Sequence, residues 1–151
     1  MGKRRRGRIL AFQALHAWDT ADNKEEALKD LLDFSWTEKE PHITDKETHV
    51  TEDFSRLLAA GTAENIAPVD AVIRKHLLHW DFSRLSSVDR ALLRLAAYEL
   101  LHHTAPPSVV IDEAVDIARE YGTDDSYKFI NGVLDGIRKT LQNKEEEKSN
   151  E

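Results

Sequence analysis

The stretch from Val88 to about His102 restricts the fold of this chain more than any other part of its sequence. The preceding residues Ser86-Ser87-Val88-Asp89 form a capping box, with Ser three residues before Asp, and predict a helix start. The helix that follows is apolar on nearly all of its faces, which is typical of a helix in the centre of a protein. Other elements must therefore surround it.

Amphipathic helices that could surround this central helix are predicted on both sides of it. Apolar residues recur at helical spacing, and no stretch shows the apolar–polar alternation of a strand. Pro68 lies inside one pattern and costs about 3 kcal/mol in a helix interior, so we expect a kink or break near Ala67. Gly122 is expected as the C′ residue of another helix. The predicted stretches are residues 9–18, 27–34, 52–78, 108–121 and 126–142.

These patterns predict an all-α protein of six to seven helices in two packed small bundles. A single domain is expected over residues 1–142, with subdomains at about 1–80 and 84–142. The stretch from Thr37 to Thr51 has no usable period and is predicted to be a long exposed loop. Residues 143–151 are predicted to be a disordered acidic tail.

The length and composition narrow the class of protein. A chain of 151 residues can bury roughly 70% of its unfolded surface, so it needs no disulfide or structural metal to fold. The longest near-apolar run, Ala91–Leu101, is interrupted by Arg94 and Glu99, and it is shorter than the roughly 20 residues of a membrane span. No signal peptide or membrane contact is predicted, and the lack of cysteine fits a reducing compartment such as the cytoplasm.

The charge of the chain is divided unevenly along its length. The formal net charge is −7, yet residues 1–18 carry five cations and no acid, which leaves −12 on the remainder. Such a basic arm is either a solubilising or targeting tail or a phosphate-binding element. The arm runs directly into a helix pattern, which favours ordered guanidinium groups. Five phosphate contacts would give a log–log salt slope of about −3.5 on a single strand.

The first helix is predicted to present a polar surface next to the arm. At 100° per residue, Ala11, Ala14, Leu15 and Trp18 share a core face with Phe12 at its edge. The opposite side carries Arg5, Ile9, Gln13 and His16, which would extend the arm if the helix reaches back through Arg5. The alternative for His16 is a solvated surface residue without a binding role.

The start of the last helix is a second candidate surface, because its core face leaves Asp125, Lys128, Phe129 and Gly132 outside. A flanking Phe beside Lys could be a platform for base stacking. Alternatively, Phe129 packs against a neighbouring helix, and Asp125 and Lys128 form a helix pair. Gly132 and Gly136 each cost roughly 1 kcal/mol within a helix, which indicates close approach by another backbone or by a ligand.

Little in the sequence indicates an enzyme. His76 and His79, and the pair His102-His103, suggest zinc at first sight, but there is no cysteine and no His-Glu-x-x-His pattern. There is no Gly-rich phosphate loop. We therefore expect no metal, cofactor or catalytic residue.

Several segments resemble the NusB family of bacterial transcription antitermination factors. The resemblance covers residues 3 to about 140. It is carried by Arg4-Arg5-Arg6-Gly7-Arg8 with Gln13-Ala14-Leu15, by Val88-Asp89-Arg90 through Tyr98-Glu99-Leu100, by Ile111-Asp112-Glu113-Ala114-Val115, and by Asp125 through Asp135 with Lys128-Phe129-Ile130-Asn131-Gly132.

The resemblance implies an all-helical fold without enzymatic activity. It also implies binding of the boxA element of ribosomal RNA leaders, jointly with the ribosomal protein NusE, in the RNA polymerase antitermination complex. The family often has Tyr where this chain has His16. Together with the two surfaces described above, it gives a predicted RNA-binding set of Lys3, Arg4, Arg5, Arg6, Arg8, Gln13, His16, Asp125, Lys128 and Phe129.

A second class of function remains open, in which the acidic body docks a basic ribosomal protein and the protein is an adaptor or ribosome-biogenesis factor. The charged residues of the central helix are candidate contacts with such a partner, or they merely solvate an exposed edge. These residues are Asp89, Arg90, Arg94 and Glu99. The resemblance also leaves open a homodimer that buries the arm.

Overall fold

The computed structural model describes residues 2–38 and 41–150, and over these residues the chain is all-helical without a strand. The predicted fold class is confirmed. The helices within the described ranges are α1 Lys3–Asp19, α2 Lys24–Leu31, α3 Asp45–Glu64, α4 Ile66–Lys75, α5 Ser87–His102, α6 Pro107–Tyr121 and α7 Ser126–Ser149, with a short 3-10 helix at Phe82–Arg84.

The apolar helix α5 is central, as its sequence indicates. It contacts α1, α3 and α4, which precede it in the chain, and α6 and α7, which follow it. One cluster of buried residues therefore runs through both predicted subdomains. The Oγ of Ser86 accepts the backbone N–H of Asp89 at 3.1 Å, which confirms the predicted N-cap. The helix ends at His102, and its C-cap residue His103 has a left-handed φ of 52°.

Helix α1 packs against α3 and α5. Gly7 makes the approach to α3 close, because a Cβ at this position would lie 2.5 Å from Cδ2 of Phe54. The hydroxyl of Ser55 donates to the carbonyl oxygen of Gly7 at 2.8 Å and joins the two helices. The first helix is therefore fixed against the body of the protein almost from its first turn.

The region around the predicted loop differs from expectation in two ways. Helix α2 ends at Leu31 rather than near Phe34, which has a left-handed φ of 55° and is buried. Helix α3 begins at Asp45, inside the stretch predicted to be a loop, because the Thr44 hydroxyl accepts the N–H of Glu47 and caps it. Lys39 and Glu40 of the predicted loop lie outside the described residues.

The break predicted within residues 52–78 is present, but it lies at Asn65 rather than near Ala67. Asn65 separates α3 from α4 and places Pro68 in the first turn of α4, where a missing N–H costs little.

The last two helices include two differences from the sequence patterns. Gly122 is the C-cap of α6, but its φ of −91° is not left-handed. Helix α7 continues to Ser149 through the segment predicted to be disordered, with the added turns exposed to solvent. Glu151 of that predicted tail lies outside the described residues.

The two glycines of α7 have different surroundings. A Cβ on Gly136 would lie 3.0 Å from the His76 ring, so the close neighbour of this glycine is a side chain rather than the expected backbone or ligand. A Cβ on Gly132 would meet nothing within 4 Å, so no other described backbone approaches this glycine, and approach by a ligand stays a prediction.

Candidate nucleic-acid interface

The five cations of the basic arm lie in the first two turns of α1, which begins at Lys3. Lys3 and Arg4 are exposed, while Arg5 and Arg6 are half-buried. The Arg4 guanidinium lies 5.1 Å from the centre of the Phe54 ring, and Lys3 Nζ lies 3.9 Å from Glu47 Oε1. No acid occupies the first turn, so the positive end of the helix dipole adds to the cations. This arrangement attracts anions.

Arg5 is held by two acids of α6. Its Nε donates to Glu113 Oε2 at 2.9 Å, and its Nη2 donates to Asp116 Oδ2 at 2.7 Å. The hydrogen bond with Glu113 and the charge of that carboxylate raise the pKa of Arg5 above its ordinary value. A phosphate at Arg5 would have to share the guanidinium with these carboxylates.

Arg8 is a correction to the predicted RNA-binding set. Its guanidinium is buried and donates to Glu99 through Nη2 to Oε1 at 2.9 Å and through Nε to Oε2 at 3.0 Å. Thr104 donates a further hydrogen bond to Glu99 Oε1 at 2.8 Å. Because the side chains of Arg8 and Glu99 are only 4% and 2% exposed, neither can reach a phosphate or a partner surface. The same packing buries Ile9, which was expected on the polar side.

Arg90 and Arg94 of α5 form ion pairs with carboxylates inside the protein. Their prediction as partner contacts, or as residues that solvate an exposed edge, is therefore corrected. Arg90 donates to Asp19 Oδ2 at 2.7 Å. Arg94 donates to Asp19 Oδ1 at 2.8 Å and to Asp70 Oδ1 at 2.9 Å. Burial would raise the pKa of Asp19, but hydrogen bonds from Arg90 and Arg94 outweigh burial and lower it below its ordinary value. This network joins α1, α4 and α5.

The middle of α1 carries Gln13 and His16, both half-buried. His16 Nε2 lies 2.8 Å from Ser87 Oγ, at the start of α5, and its ring centre lies 6.2 Å from that of Phe12. The imidazole is therefore positioned by α5 rather than solvated without contacts. The ring of Phe12 in turn lies 5.4 Å from Tyr121 at the end of α6.

The second candidate surface lies at the start of α7. Asp125 and Lys128 are exposed, and Lys128 Nζ lies 5.8 Å from the centre of the Tyr127 ring. Phe129 is half-buried, with its ring edge-on to Trp80 at 5.9 Å between centres. Phe129 therefore packs against an aromatic residue of a connector rather than against a neighbouring helix alone, and part of its surface stays accessible to solvent; its role in base stacking stays a prediction.

Contacts through α5 and α6 link the two candidate surfaces. Arg5 contacts α6 near its middle, and Phe12 contacts Tyr121 at the end of that helix. His16 contacts Ser87, whose neighbour Ser86 lines a cleft shared with Phe129. Arg5 and His16 are eleven residues apart on α1, or about 16 Å along the helix. The structure therefore places His16 near the cleft at the start of α7, with the arm about 16 Å away along α1.

Trp80 also belongs to this surface and was not predicted from the sequence. Trp80 lies in the connector between α4 and the 3-10 helix, and 58% of its surface is exposed. A large aromatic residue in a polar connector, with Leu78 exposed beside it, was the available signal.

The described residues contain no group of three or more His, Cys, Asp or Glu side chains that could hold a metal ion. No helix among them is both long enough and apolar enough to span a membrane.

The fold and these two surfaces define a small all-helical protein with an exposed cationic helix start and an aromatic cleft near the other end of the same helix. The NusB family model matches residues 5–139, and the chain belongs to the NusB family. The transcription antitermination protein NusB of Treponema denticola is 50% identical over 136 residues, covering 89% of this chain and 95% of the relative. That of Treponema pallidum, strain Nichols, is 51% identical over 138 residues, covering 91% and 93%.

Solved structures of the same family share the fold. A T. maritima NusB structure aligns with a TM-score of 0.71 at 38% identity, covering 90% of each chain. A crystal structure of the antitermination factors NusB and NusE in complex with dsRNA aligns with a TM-score of 0.73 at 28% identity, covering 93% of this chain and 98% of that one.

Proposed function

We propose that this protein is a non-enzymatic antitermination factor of the bacterial cytoplasm. It binds boxA-type single-stranded RNA of ribosomal RNA leaders together with the ribosomal protein NusE, in the RNA polymerase antitermination complex, and supports processive transcription of ribosomal RNA. The observation that carries this proposal is the exposed cationic start of α1, where Lys3 and Arg4 stand on a helix N-terminus without a neighbouring acid in the first turn.

The proposed RNA contacts are of two kinds, with phosphates and with bases. Lys3, Arg4, Arg6 and Lys128 face phosphates, and Arg5 does so in competition with its carboxylate partners. Gln13 and His16 supply the polar surface between the two ends, and the open side of Phe129 takes a stacked base. Asp125 either accepts a hydrogen bond from a base edge or restrains Lys128.

Removal of Arg8 from the set changes the expected salt dependence. Four phosphate contacts from the arm give a slope of log K against log salt of about −2.8 on a single strand, instead of −3.5 for five. The structure of NusB and NusE with dsRNA supports the partner classes, since its NusB chain covers nearly the whole of this one.

The test is a titration of a fluorescently labelled boxA-type RNA at a series of salt concentrations. We expect binding that weakens steeply with salt and weakens again in Phe129→Ala, because that substitution removes the stacking platform. Val109→Ala is a matched control, since Val109 is an exposed apolar residue on α6. An RNA affinity that does not depend on salt concentration, or that is unchanged in Phe129→Ala, would overturn the proposal.

A second candidate function rests on the charge of the body. Residues 19–151 carry a formal charge of −12, which complements a basic ribosomal protein even without RNA. As an adaptor or ribosome-biogenesis factor, the protein would capture an NusE-type ribosomal protein from an RNA-free preparation. Capture that appears only after RNA is added would leave RNA binding as the primary function.

A further inference from the structure

Two carboxylates of α6 surround the Arg5 guanidinium, and we call these three side chains the Arg5 clamp. The Nε of Arg5 donates to Glu113 Oε2 at 2.9 Å, and its Nη2 donates to Glu113 Oε1 at 3.3 Å and to Asp116 Oδ2 at 2.7 Å. These three hydrogen bonds occupy three of the five N–H donors of a guanidinium, so the two on Nη1 remain for a phosphate. Arg5 therefore cannot grip a phosphate fully until the clamp opens.

The Arg5 clamp carries more negative than positive charge. One guanidinium faces two carboxylates, so the formal charge of the clamp is −1, although Arg5 belongs to the basic arm. At the start of the arm, Lys3 Nζ lies 3.9 Å from Glu47 Oε1, and 61% of the Lys3 side chain is exposed against 41% for Arg5. A phosphate that reaches Lys3 meets an exposed cation, whereas a phosphate that reaches Arg5 also meets two anions.

We propose that the Arg5 clamp is an autoinhibitory contact, in which Glu113 and Asp116 occupy the guanidinium in place of an RNA phosphate. Carboxylate and phosphate oxygens both accept parallel N–H bonds from arginine, which makes them direct competitors. A bound strand must displace the carboxylates, so part of the free energy gained from the phosphate contact is spent on opening the clamp. The inference rests on the proposed RNA-binding function and adds two residues of α6 that limit the RNA affinity.

The two carboxylates of the clamp contribute unequally. The side chain of Glu113 is 21% exposed, and among the described residues its hydrogen bonds are with Arg5 alone. Asp116 is 41% exposed and keeps a second cation when Arg5 leaves, because Arg119 Nη1 lies 3.8 Å from Asp116 Oδ1. A half-buried carboxylate that loses its cation is less well solvated than an exposed one. Release of Arg5 therefore costs more at Glu113 than at Asp116.

The experiment measures the binding of a labelled boxA-type RNA by fluorescence anisotropy, in the wild type and in Glu113→Gln/Asp116→Asn. Gln and Asn keep the shape of the two carboxylates and remove their charge. We expect the double variant to bind the RNA roughly fivefold more tightly than the wild type, which is the upper end of the effect of an exposed ion pair. Glu113→Gln alone should give most of this gain, because Glu113 is the less exposed of the two.

Two controls show whether the gain passes through Arg5. In an Arg5→Gln background, the same double substitution should change the RNA affinity by less than about twofold, because the guanidinium that the carboxylates occupy is absent. Asp112→Asn/Glu120→Gln removes two acids from exposed positions of the same helix. It should also bind within about twofold of the wild type, since solvent screens exposed charges. Thermal unfolding followed by circular dichroism checks that each variant is folded.

The outcomes separate this inference from the function on which it rests. If the wild type does not bind the RNA at low salt, the proposed function fails and this inference fails with it. If the wild type binds with the expected salt dependence, but the folded double variant binds equally or more weakly, only the autoinhibitory contact is overturned. Weaker binding would show that the carboxylates position Arg5 for the phosphate. A gain that persists in the Arg5→Gln background, or that Asp112→Asn/Glu120→Gln reproduces, is a general effect of charge and also overturns the inference.

Discussion

Arg4 and Arg8 lie one helical turn apart on α1 and face the same Phe54 ring, at 5.1 Å and 5.6 Å from its centre. Arg4 is exposed at the helix start, whereas Arg8 is buried and paired with Glu99. The two arginines are equivalent in a count of charges, yet only the outer one can contact a polyanion. The difference arises because α3 and α5 cover α1 from Gly7 onward.

The same contrast separates other cations of the first and fifth helices. Arg8, Arg90 and Arg94 neutralise carboxylates between helices and hold the body together. Lys3 and Arg4 stand at the surface and are available to a ligand. The inner and outer cations therefore make separable predictions, the inner ones on stability and the outer ones on RNA affinity.

The largest expected effect is on the inner pair. Arg8→Ala should lower the free energy of unfolding by about 3–5 kcal/mol, because it leaves the Glu99 carboxylate buried without its cation. Urea denaturation measures this loss. The double variant Arg8→Met/Glu99→Leu should recover most of it, since a buried ion pair can be replaced by apolar groups of similar size. A loss below about 0.5 kcal/mol, as for a surface site, would contradict the burial of Arg8.

Asp19 provides the next test, through pH. Its folded-state pKa is lowered, so its contribution to stability is fully present above the unfolded value of about 3.9 and disappears as the pH falls through the folded pKa. Asp19→Asn should lower the free energy of unfolding by about 2–3 kcal/mol at pH 7. The difference in the free energy of unfolding between Asp19→Asn and the wild type should shrink as the pH falls below the unfolded pKa of about 3.9. A difference independent of pH would show that the network with Arg90 and Arg94 does not depend on the charge of Asp19.

Gly7 and Gly132 test the same contrast, because Gly7 lies in a packed helix contact and Gly132 faces open space. Gly7→Ala should cost about 1–3 kcal/mol, because its Cβ would overlap the Phe54 ring. Gly132→Ala should instead gain up to about 1 kcal/mol, since its Cβ enters open space in a helix. Thermal or urea unfolding of both variants decides the point. A stability gain in Gly7→Ala would mean that α1 and α3 can separate at no cost.

The smallest expected effect is on the outer cation. Arg4→Ala should leave the stability within about 0.5 kcal/mol and make the salt slope of RNA binding less steep by about 0.7. That slope change corresponds to about fivefold weaker binding at 0.1 M relative to 1 M salt. Arg119→Ala is a matched control, because Arg119 is an exposed arginine at the end of α6. An unchanged slope in Arg4→Ala would remove Arg4 from the phosphate contacts.

The sequence predicted the central helix, its cap and the break near Pro68 because each has a local cause. Each cause acts within a few residues. The central helix is apolar on nearly all faces, Ser86 caps its start, and Pro68 has no backbone N–H to donate. The start of α3 was missed because its first turns are polar, so no apolar period marks them; the Thr44 cap determines the start. The end of α7 was missed for the same reason, since its last turns bury no residues.

The candidate site was predictable only in part. The arm and the start of α7 were identified because runs of charge and an out-of-phase Phe129 are visible along the chain. The burial of Arg8 was not visible, because its partner Glu99 lies 91 positions away and only the packing of α1 on α5 brings them together. Trp80 was missed for a similar reason, since its position beside Phe129 is set by the meeting of two distant segments.

The most direct test of the division between inner and outer cations is NMR shift mapping of the full chain with a short boxA-type RNA. Signals of Lys3, Arg4, His16, Lys128 and Phe129 should move on binding. The side-chain signals of Arg8 and Arg94, which stay paired inside the protein, should not move. Shifts confined to the far end of α7 or to α2, with the start of α1 unmoved, would contradict the proposed interface.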